Sequence, residues 1–405
     1  MPKLPVRIPW VTYSKWRHQY GDVVYAYALG RSILILNSFA AARDLLEKKS
    51  ATFSDRPYLP VFNMMGWELN LPFLRYGPRF RKHHQFMHQY FGPTAIDSLS
   101  PIQERETRKF LLRLLTEPDI LVAGINLCIT YGREVQSGHD ELIELTENAM
   151  HLSTSLGNGA GAAPQCVISD LLDEYEGMSV VDYEHEKYIK SIGATVYNAG
   201  THTTKATLTE FFLMMTLHPE VTKKAQEEID RIVGTYRMPS FEDRKDLPYI
   251  ECLLKELYRI HPPGPLGMPH ITTQTEEYRS WVIPDGTIVI SNIWQMMRDE
   301  AVFQKPGEFV PERFLNKTLS GEEDPSVIVF GFGRRVCPGK YLADTTLWLA
   351  IVSVLAMFDI EPYTNPATGE VELPKNEVQE EQLILELKPF KCKISPRSGR
   401  TSVIL

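Results

Sequence analysis

Phe330-Gly331-Phe332-Gly333-Arg334-Arg335-Val336-Cys337-Pro338-Gly339 is the stretch from which the rest of the chain can be read. One cysteine stands in a loop with glycines on both sides and two arginines just ahead of it. A cysteine that ligates iron must be held as thiolate, and it protonates unless hydrogen-bond donors and positive potential surround it. Glycines let backbone N–H groups approach the sulfur with no Cβ in the way. The apolar helix predicted from Ala343 points its positive dipole end back towards the sulfur. The alternative is a buried structural cysteine in a Gly-rich turn. A fixed pattern of this kind arises by chance about once in thirty thousand chains of this length, which favours the ligand reading.

Four further stretches carry chemistry. Lys255-Glu256-Leu257-Tyr258-Arg259 puts Glu256 and Arg259 at i, i+3 on one helix face, close enough to pair; alone this means little, because such pairs usually decorate solvated faces. Downstream comes Phe309-Val-Pro-Glu-Arg313-Phe314. Ala199-Gly200-Thr201-His202-Thr203-Thr204 lies inside a long helical pattern although glycine and threonine are poor helix formers; a small-residue packing notch is the plain reading. Tyr76-Gly-Pro-Arg-Phe80-Arg-Lys-His83-His84 opens a helix with a cationic face, and Leu266-Gly-Met-Pro-His270 follows the Glu/Arg helix.

In this order the stretches resemble the cytochrome P-450 family of haem-thiolate monooxygenases, in its fungal microsomal form. The resemblance covers about Trp10 to Phe91 and Ile168 to Pro396, with partial agreement between. It implies a mostly α fold with a minor β region, the haem b lying between a long central helix and the helix after the cysteine loop. It makes Cys337 the iron ligand, with Phe330, Gly331 and Gly339 in the haem-binding loop and Arg335 and His270 on the haem propionates. Glu256, Arg259 and Arg313 become a buried structural network. Thr203 matches the threonine that hydrogen-bonds bound dioxygen, and His202 stands where the family has Asp or Glu; a histidine titrates near neutrality and can relay protons too. Phe80 and His84 occupy the places of a Trp and an Arg that hold a propionate. Each charge-assisted bond is worth ~1.5–3 kcal/mol, so haem retention is expected to be weaker unless Arg81 or Lys82 compensates.

The implied activity is insertion of one atom of O2 into a small apolar substrate, of secondary-metabolite or xenobiotic type. Electrons would come from NADPH through an NADPH-cytochrome reductase, with the Cys337 thiolate favouring O–O cleavage. Two rivals stand beside it: a shortened haem-binding remnant without turnover, and a thiolate haem using peroxide. Relatives of this type sit on the cytosolic face of the endoplasmic reticulum membrane. No anchor precedes Trp10 here, which points to a cytoplasmic chain. The substrate-roof helices also read as cut short, with Gly157-Asn-Gly-Ala-Gly-Ala-Ala-Pro164 as the seam.

Local patterns fill in the rest. Val23–Tyr27 and Ser32–Leu36 read as a hairpin, and Ser38–Lys49 as an amphipathic helix. Helices are expected over Arg79–Phe91, Leu142–Leu156, Tyr183–Leu217, Glu220–Val233 and Tyr249–Ile260. Short strands are expected at Tyr278–Ile283 and Thr287–Ile290 around a Pro284-Asp285-Gly286 turn, and a β region near Leu383–Lys393. We expect one haem domain over residues 1–405, with a β-rich lobe near 20–60, 270–295 and 380–395 and a helical lobe near 75–265 and 300–360.

With 405 residues and 43% hydrophobic content, the chain can bury a large core. A net charge of −8 argues against nucleic-acid partners, which need a basic face. Five scattered cysteines with no CxxC pair make a disulfide framework or zinc site unlikely and favour a reducing compartment. The longest apolar stretch, Leu347 to Phe358, is short of the ~20 residues a bilayer span needs and reads as a buried core helix, so no transmembrane segment is expected.

Overall fold

The computed structural model describes residues 5, 7–28, 30–64, 66–114, 166–173, 183–379, 383–400 and 403. The expected Leu142–Leu156 helix and the Gly157–Pro164 seam lie outside these. The longer helices among the described residues are α1 (Pro9–Tyr20), α2 (Pro78–Phe91), α3 (Ser100–Arg113), α4 (Val167–Asp173), α5 (Tyr183–Leu217), α6 (Pro219–Ile232), α7 (Pro248–Ile260) and α8 (Lys340–Met357). Proline opens α2, α6 and α7 at the first turn, where its missing N–H costs nothing.

α8 is the spine. It is apolar nearly all round, and its residues from Thr346 to Met357 are buried. Among the described residues it is the one helix long and apolar enough to cross a membrane, but most of it lies inside the protein. Helices α3, α5, α6 and α7 all pack on it. Trp348, fully buried, lies 6.1 Å from Phe241 and under the guanidinium of Arg244.

The first sheet runs β1 (Val23–Ala28), β2 (Arg31–Leu36), β6 (Ile288–Ser291), β3 (His270–Ile271), so residues 255 positions apart meet at the parallel β2/β6 pair. Strands β4 (Glu276–Tyr278) and β5 (Trp281–Ile283) form a separate hairpin. A third sheet is made by β7 (Phe358–Thr364), β8 (Val371–Glu372) and β9 (Cys392–Pro396), and it packs against α5.

Three expectations need correction. The strand expected at Tyr278–Ile283 is two strands joined at Arg279, which adopts a left-handed φ of 55°. Pro284-Asp285-Gly286 does turn the chain, but β5 and β6 are not paired to each other. The Ser38–Lys49 helix starts at Ser38, whose hydroxyl accepts from the Ala41 N–H, but over Arg43–Lys48 it widens into a π-helix. The last β region pairs with Phe358–Thr364 and is not joined to the first sheet.

Candidate functional site

The cysteine loop is a tight knot of backbone bonds. Cys337 N–H donates to the Phe330 carbonyl at 2.8 Å, Val336 N–H to Gly333 at 3.2 Å, and Arg335 N–H to Phe332 at 3.3 Å. Gly331 and Gly333 have φ of 79° and 58°, which an L side chain resists. The glycines do not all serve the sulfur. Gly339 does: its N–H donates to the thiol, and a Cβ there would stand 4.0 Å from Sγ. Gly333 lies against the backbone of Leu46 and Glu47 in the π-helix, where any Cβ would collide with the Leu46 carbonyl. α8 begins at Lys340, so its N-terminus faces the sulfur. Burial pushes the Cys337 thiol up, against the Gly339 N–H and Lys340.

Arg335 is buried and points away from solvent. Its Nε donates to the Ser54 carbonyl at 2.6 Å and Nη2 to Leu74 at 2.8 Å, while Nη1 is buried without a partner. Its guanidinium lies 3.6 Å over the centre of the Phe80 ring. Burial pushes its pKa down to about 10. His270 Nδ1 donates to the Phe53 carbonyl at 2.6 Å. Burial, with Arg56 and Arg335 close by, holds His270 far below its ordinary value. As the neutral tautomer its Nε2 can only accept; it donates to a carboxylate only as imidazolium, which an anion beside it would favour.

Helix α2 contributes differently from the sequence expectation. Phe80 is buried as a platform under Arg335. His84 Nε2 donates to the Val336 carbonyl at 3.1 Å, which ties α2 to the cysteine loop and uses that donor. Burial lowers its pKa, with His88 and Arg335 adding to the effect. An open cleft of about 590 Å³, lined by Tyr76, Phe80, Arg81, His84, His88 and Arg334 among others, lies beside these residues.

Glu256, Arg259 and Arg313 meet behind the loop. Arg259 grips Glu256 through Nε (2.7 Å) and Nη2 (2.9 Å), and Arg313 Nε reaches the same carboxylate at 3.1 Å. The Val310 N–H completes its shell at 2.8 Å, and Arg259 also donates to the carbonyls of Met297, Pro306 and Glu308. Glu256 and Arg259 are fully buried. Phe330, at the start of the cysteine loop, packs edge-on against Tyr258 of the same helix, α7.

Thr203 and His202 sit on α5, which runs unbroken through Ala199–Thr204. The Thr203 hydroxyl folds back on the Ala199 carbonyl at 2.8 Å, and Thr207 repeats the pattern on Thr203 at 3.2 Å. Such i−4 back-bonding loosens and bends a helix. His202 and Thr203 are half-buried, and among the described residues neither bonds to the cysteine loop.

Sequence reasoning missed the segment that organises this site. Phe53, Ser54, Asp55 and Arg56 offer three carbonyls in a row: Phe53 to His270, Ser54 to Arg335, Asp55 to the Ile271 N–H at 3.0 Å. The one sequence signal here was Arg56-Pro57, since a residue before proline is held extended, but it does not mark the carbonyls' partners.

This donor set fits an iron porphyrin. Among the described residues no three His, Cys, Asp or Glu side chains converge as a bare metal ion requires. One thiol suits an iron whose other ligands come from a macrocycle, and the buried, unpartnered Arg335 Nη1 calls for an acidic group.

Comparison with known proteins agrees. The family model described as cytochrome P-450 matches residues 2–120 and 155–393. The chain is 34% identical to cytochrome P-450 monooxygenase claR of Ampulloclitocybe clavipes, covering 99% of this chain and 85% of that protein. It is also 34% identical to cytochrome P-450 monooxygenase 208 of Postia placenta, covering 99% and 89%. The first alignment spans 463 positions, more than the 405 residues here, so that relative carries residues inside the matched span that this chain lacks. A zebrafish cytochrome P-450 structure with abiraterone superposes with a TM-score of 0.82 at 21% identity, covering 98% of this chain and 100% of the other.

Proposed function

This chain belongs to the cytochrome P-450 family, and on that premise we propose that it inserts one atom of O2 into a small apolar substrate, drawing electrons from NADPH through a reductase. The mostly α fold and the monooxygenase class come with the family. The observation that carries the reading for this chain is Cys337. It stands at the mouth of α8, with the Gly339 N–H on its sulfur and Arg335 two residues away, buried, with a nitrogen unsatisfied.

Haem, when bound, supplies the iron at which dioxygen is activated. Everything else falls to the chain. Cys337 would hold the iron through Sγ, as thiolate once a cation offsets its burial. Arg335 and His270 would hold the propionates, their orientation fixed by the Ser54 and Phe53 carbonyls. Phe330, Gly331 and Gly339 shape the loop. His84 braces that loop from α2 through Val336. Thr203, by turning its hydroxyl from the Ala199 carbonyl, would donate at Oγ1 to dioxygen, and half-exposed His202 would pass protons to it from solvent. Glu256, Arg259 and Arg313 hold α7 and the Pro311–Phe314 turn in register and touch no substrate.

The cationic rim of the cleft between α2 and the loop, with Arg81, His88 and Arg334, suits an acidic electron donor. Likeness to the fungal monooxygenases supports a site of action at the cytosolic face of the endoplasmic reticulum membrane as part of this proposal. The test combines purified protein, a fungal reductase, NADPH and isotopically labelled dioxygen with a panel of apolar substrates. Label in product, lost in Cys337→Ser, supports the proposal. NADPH consumed without labelled product would favour a haem-binding remnant.

A further inference from the structure

We infer that Glu210 is a positioning residue for the stretch Ala199–Thr204: through His261 and Arg298 it pins α5 beyond its loosened turns and so sets where the Thr203 hydroxyl stands. The inference rests on the role given to Thr203 above and adds three residues to it.

Glu210 is 1% exposed, the one buried carboxylate among the described residues of α5. Neither of its oxygens has a hydrogen bond of good geometry. His261, buried just past the end of α7, brings Nδ1 within 2.6 Å of Oε1, but out of line for a hydrogen bond. Arg298 is the second partner. Its guanidinium lies 3.2 Å over the centre of the Trp294 ring, Nη2 donates to the Ile260 carbonyl, and Nη1 is buried without a partner. Burial and the nearby Arg259 push its pKa down to about 9, against the pull of Glu210 and Glu256. The His261 ring faces Trp294 as well, at 5.9 Å. One carboxylate thus ties α5 to the end of α7 and to the short helix Ile293–Met296 that carries Trp294.

Thr203 and Glu210 are seven residues apart, nearly two full turns, so they share one face of α5 at a spacing of about 10 Å. Between them the helix is loosened, because Thr203 and Thr207 both bond back on carbonyls four residues earlier. The placing of such a stretch depends on the fixed points either side of it. On the N-terminal side the Ser191 hydroxyl donates to the Leu69 carbonyl, and the Leu71 N–H donates to Thr195 Oγ1 at 3.1 Å. On the C-terminal side Glu210 reaches out to His261 and Arg298. A buried carboxylate is costly, and an apolar side chain would fill the same space more cheaply. What the charge supplies is register: its partners are in reach at one setting of α5 against α7, whereas apolar packing tolerates sliding.

The test uses purified holoprotein with a fungal reductase and NADPH, no substrate added, so that electrons end either in hydrogen peroxide, two per O2, or in water, four per O2. The ratio of peroxide to water is measured in wild type, Glu210→Gln, Thr203→Ala and the double variant. Glutamine keeps the size of the side chain and removes its charge. Glu210→Gln should raise the ratio roughly threefold to tenfold, the scale on which one lost polar contact shifts an equilibrium, with full haem content and no loss of unfolding temperature. In the Thr203→Ala background the same change should add nothing, because the hydroxyl to be placed is gone. An unchanged ratio in Glu210→Gln would overturn the inference. So would a further rise in the double variant, since a residue that merely stabilises the fold acts whether or not Thr203 is present. If Glu210→Gln gives no soluble holoprotein, His261→Gln decides by the same pair of measurements. A Thr203→Ala protein with the wild-type ratio would instead overturn the reading of Thr203 on which this rests.

Discussion

At the scale of single residues, burial decides which groups tolerate change. Arg259→Ala strips Glu256 of both bonds to its fully buried partner and leaves a carboxylate at zero exposure. Breaking a buried pair this way costs ~3–5 kcal/mol. The expected result is insoluble or haem-free protein; well-folded, haem-loaded protein with only slowed turnover would contradict the structural role. His83 gives a pH signature. It is fully buried between the Arg79 carbonyl and Ser191 Oγ, with Arg79 and Lys82 as its cationic neighbours, and its pKa is lowered to about 4. The unfolded chain, with histidine near 6.5, binds the proton first. Stability is therefore full above ~6.5, falls as pH drops towards the folded value and levels off below it, a loss of about 3 kcal/mol at most. Urea midpoints against pH should show this slope in wild type and lose it in His83→Gln. His202→Asp is expected to lower peroxide leakage per NADPH, because it restores the carboxylate that the family usually has beside the oxygen-contacting threonine; equal or greater leakage would make His202 an adequate relay. Sequence placed Cys337, Glu256, Arg259 and Arg313 because fixed spacing marks them. It could not place the Phe53–Asp55 carbonyls, whose partners His270, Arg335 and Ile271 lie more than 200 positions away.

At the scale of elements, the helices were legible and the turns less so. Long apolar periodicity and proline starts gave α5, α6 and α7 nearly to the residue. The β4/β5 hairpin was missed because its turn uses Arg279 in a conformation usually left to glycine, while the stronger turn signal, Pro284-Asp285-Gly286, starts five residues further on. The glycines of the cysteine loop were recognised, but their separate duties needed the structure. That separation is testable. Gly331→Ala meets no atom closer than 4.0 Å and should cost only the left-handed strain, ~1–2 kcal/mol. Gly333→Ala suffers the same strain and also drives a methyl into the Leu46 carbonyl, so it must lever the loop off the π-helix. Thermal unfolding and haem content should fall much further in Gly333→Ala; equal effects would mean that the loop gives way freely.

At the scale of the whole molecule, the family match is interrupted between residues 120 and 155, just ahead of the Gly/Ala-rich seam. A shortened roof over the haem would bury less of a large ligand, and each buried methylene is worth ~0.8 kcal/mol. Spectral titration should then show a bulky hydrophobic azole binding little tighter than imidazole, whereas a preference on the order of a thousandfold would mean a complete roof. Fold class was readable because the haem-thiolate motifs recur in fixed order along the chain; the substrate was not, because the motifs surround the haem and not the ligand. All of this depends on one bond. The most direct measurement is the absorption spectrum of the purified, reduced protein under carbon monoxide, in wild type and Cys337→Ser. The account predicts the strongly red-shifted Soret band of a thiolate-ligated haem in wild type and its loss in the variant. A wild type without that band, or a serine variant that keeps it, would contradict the assignment of Cys337 as the iron ligand.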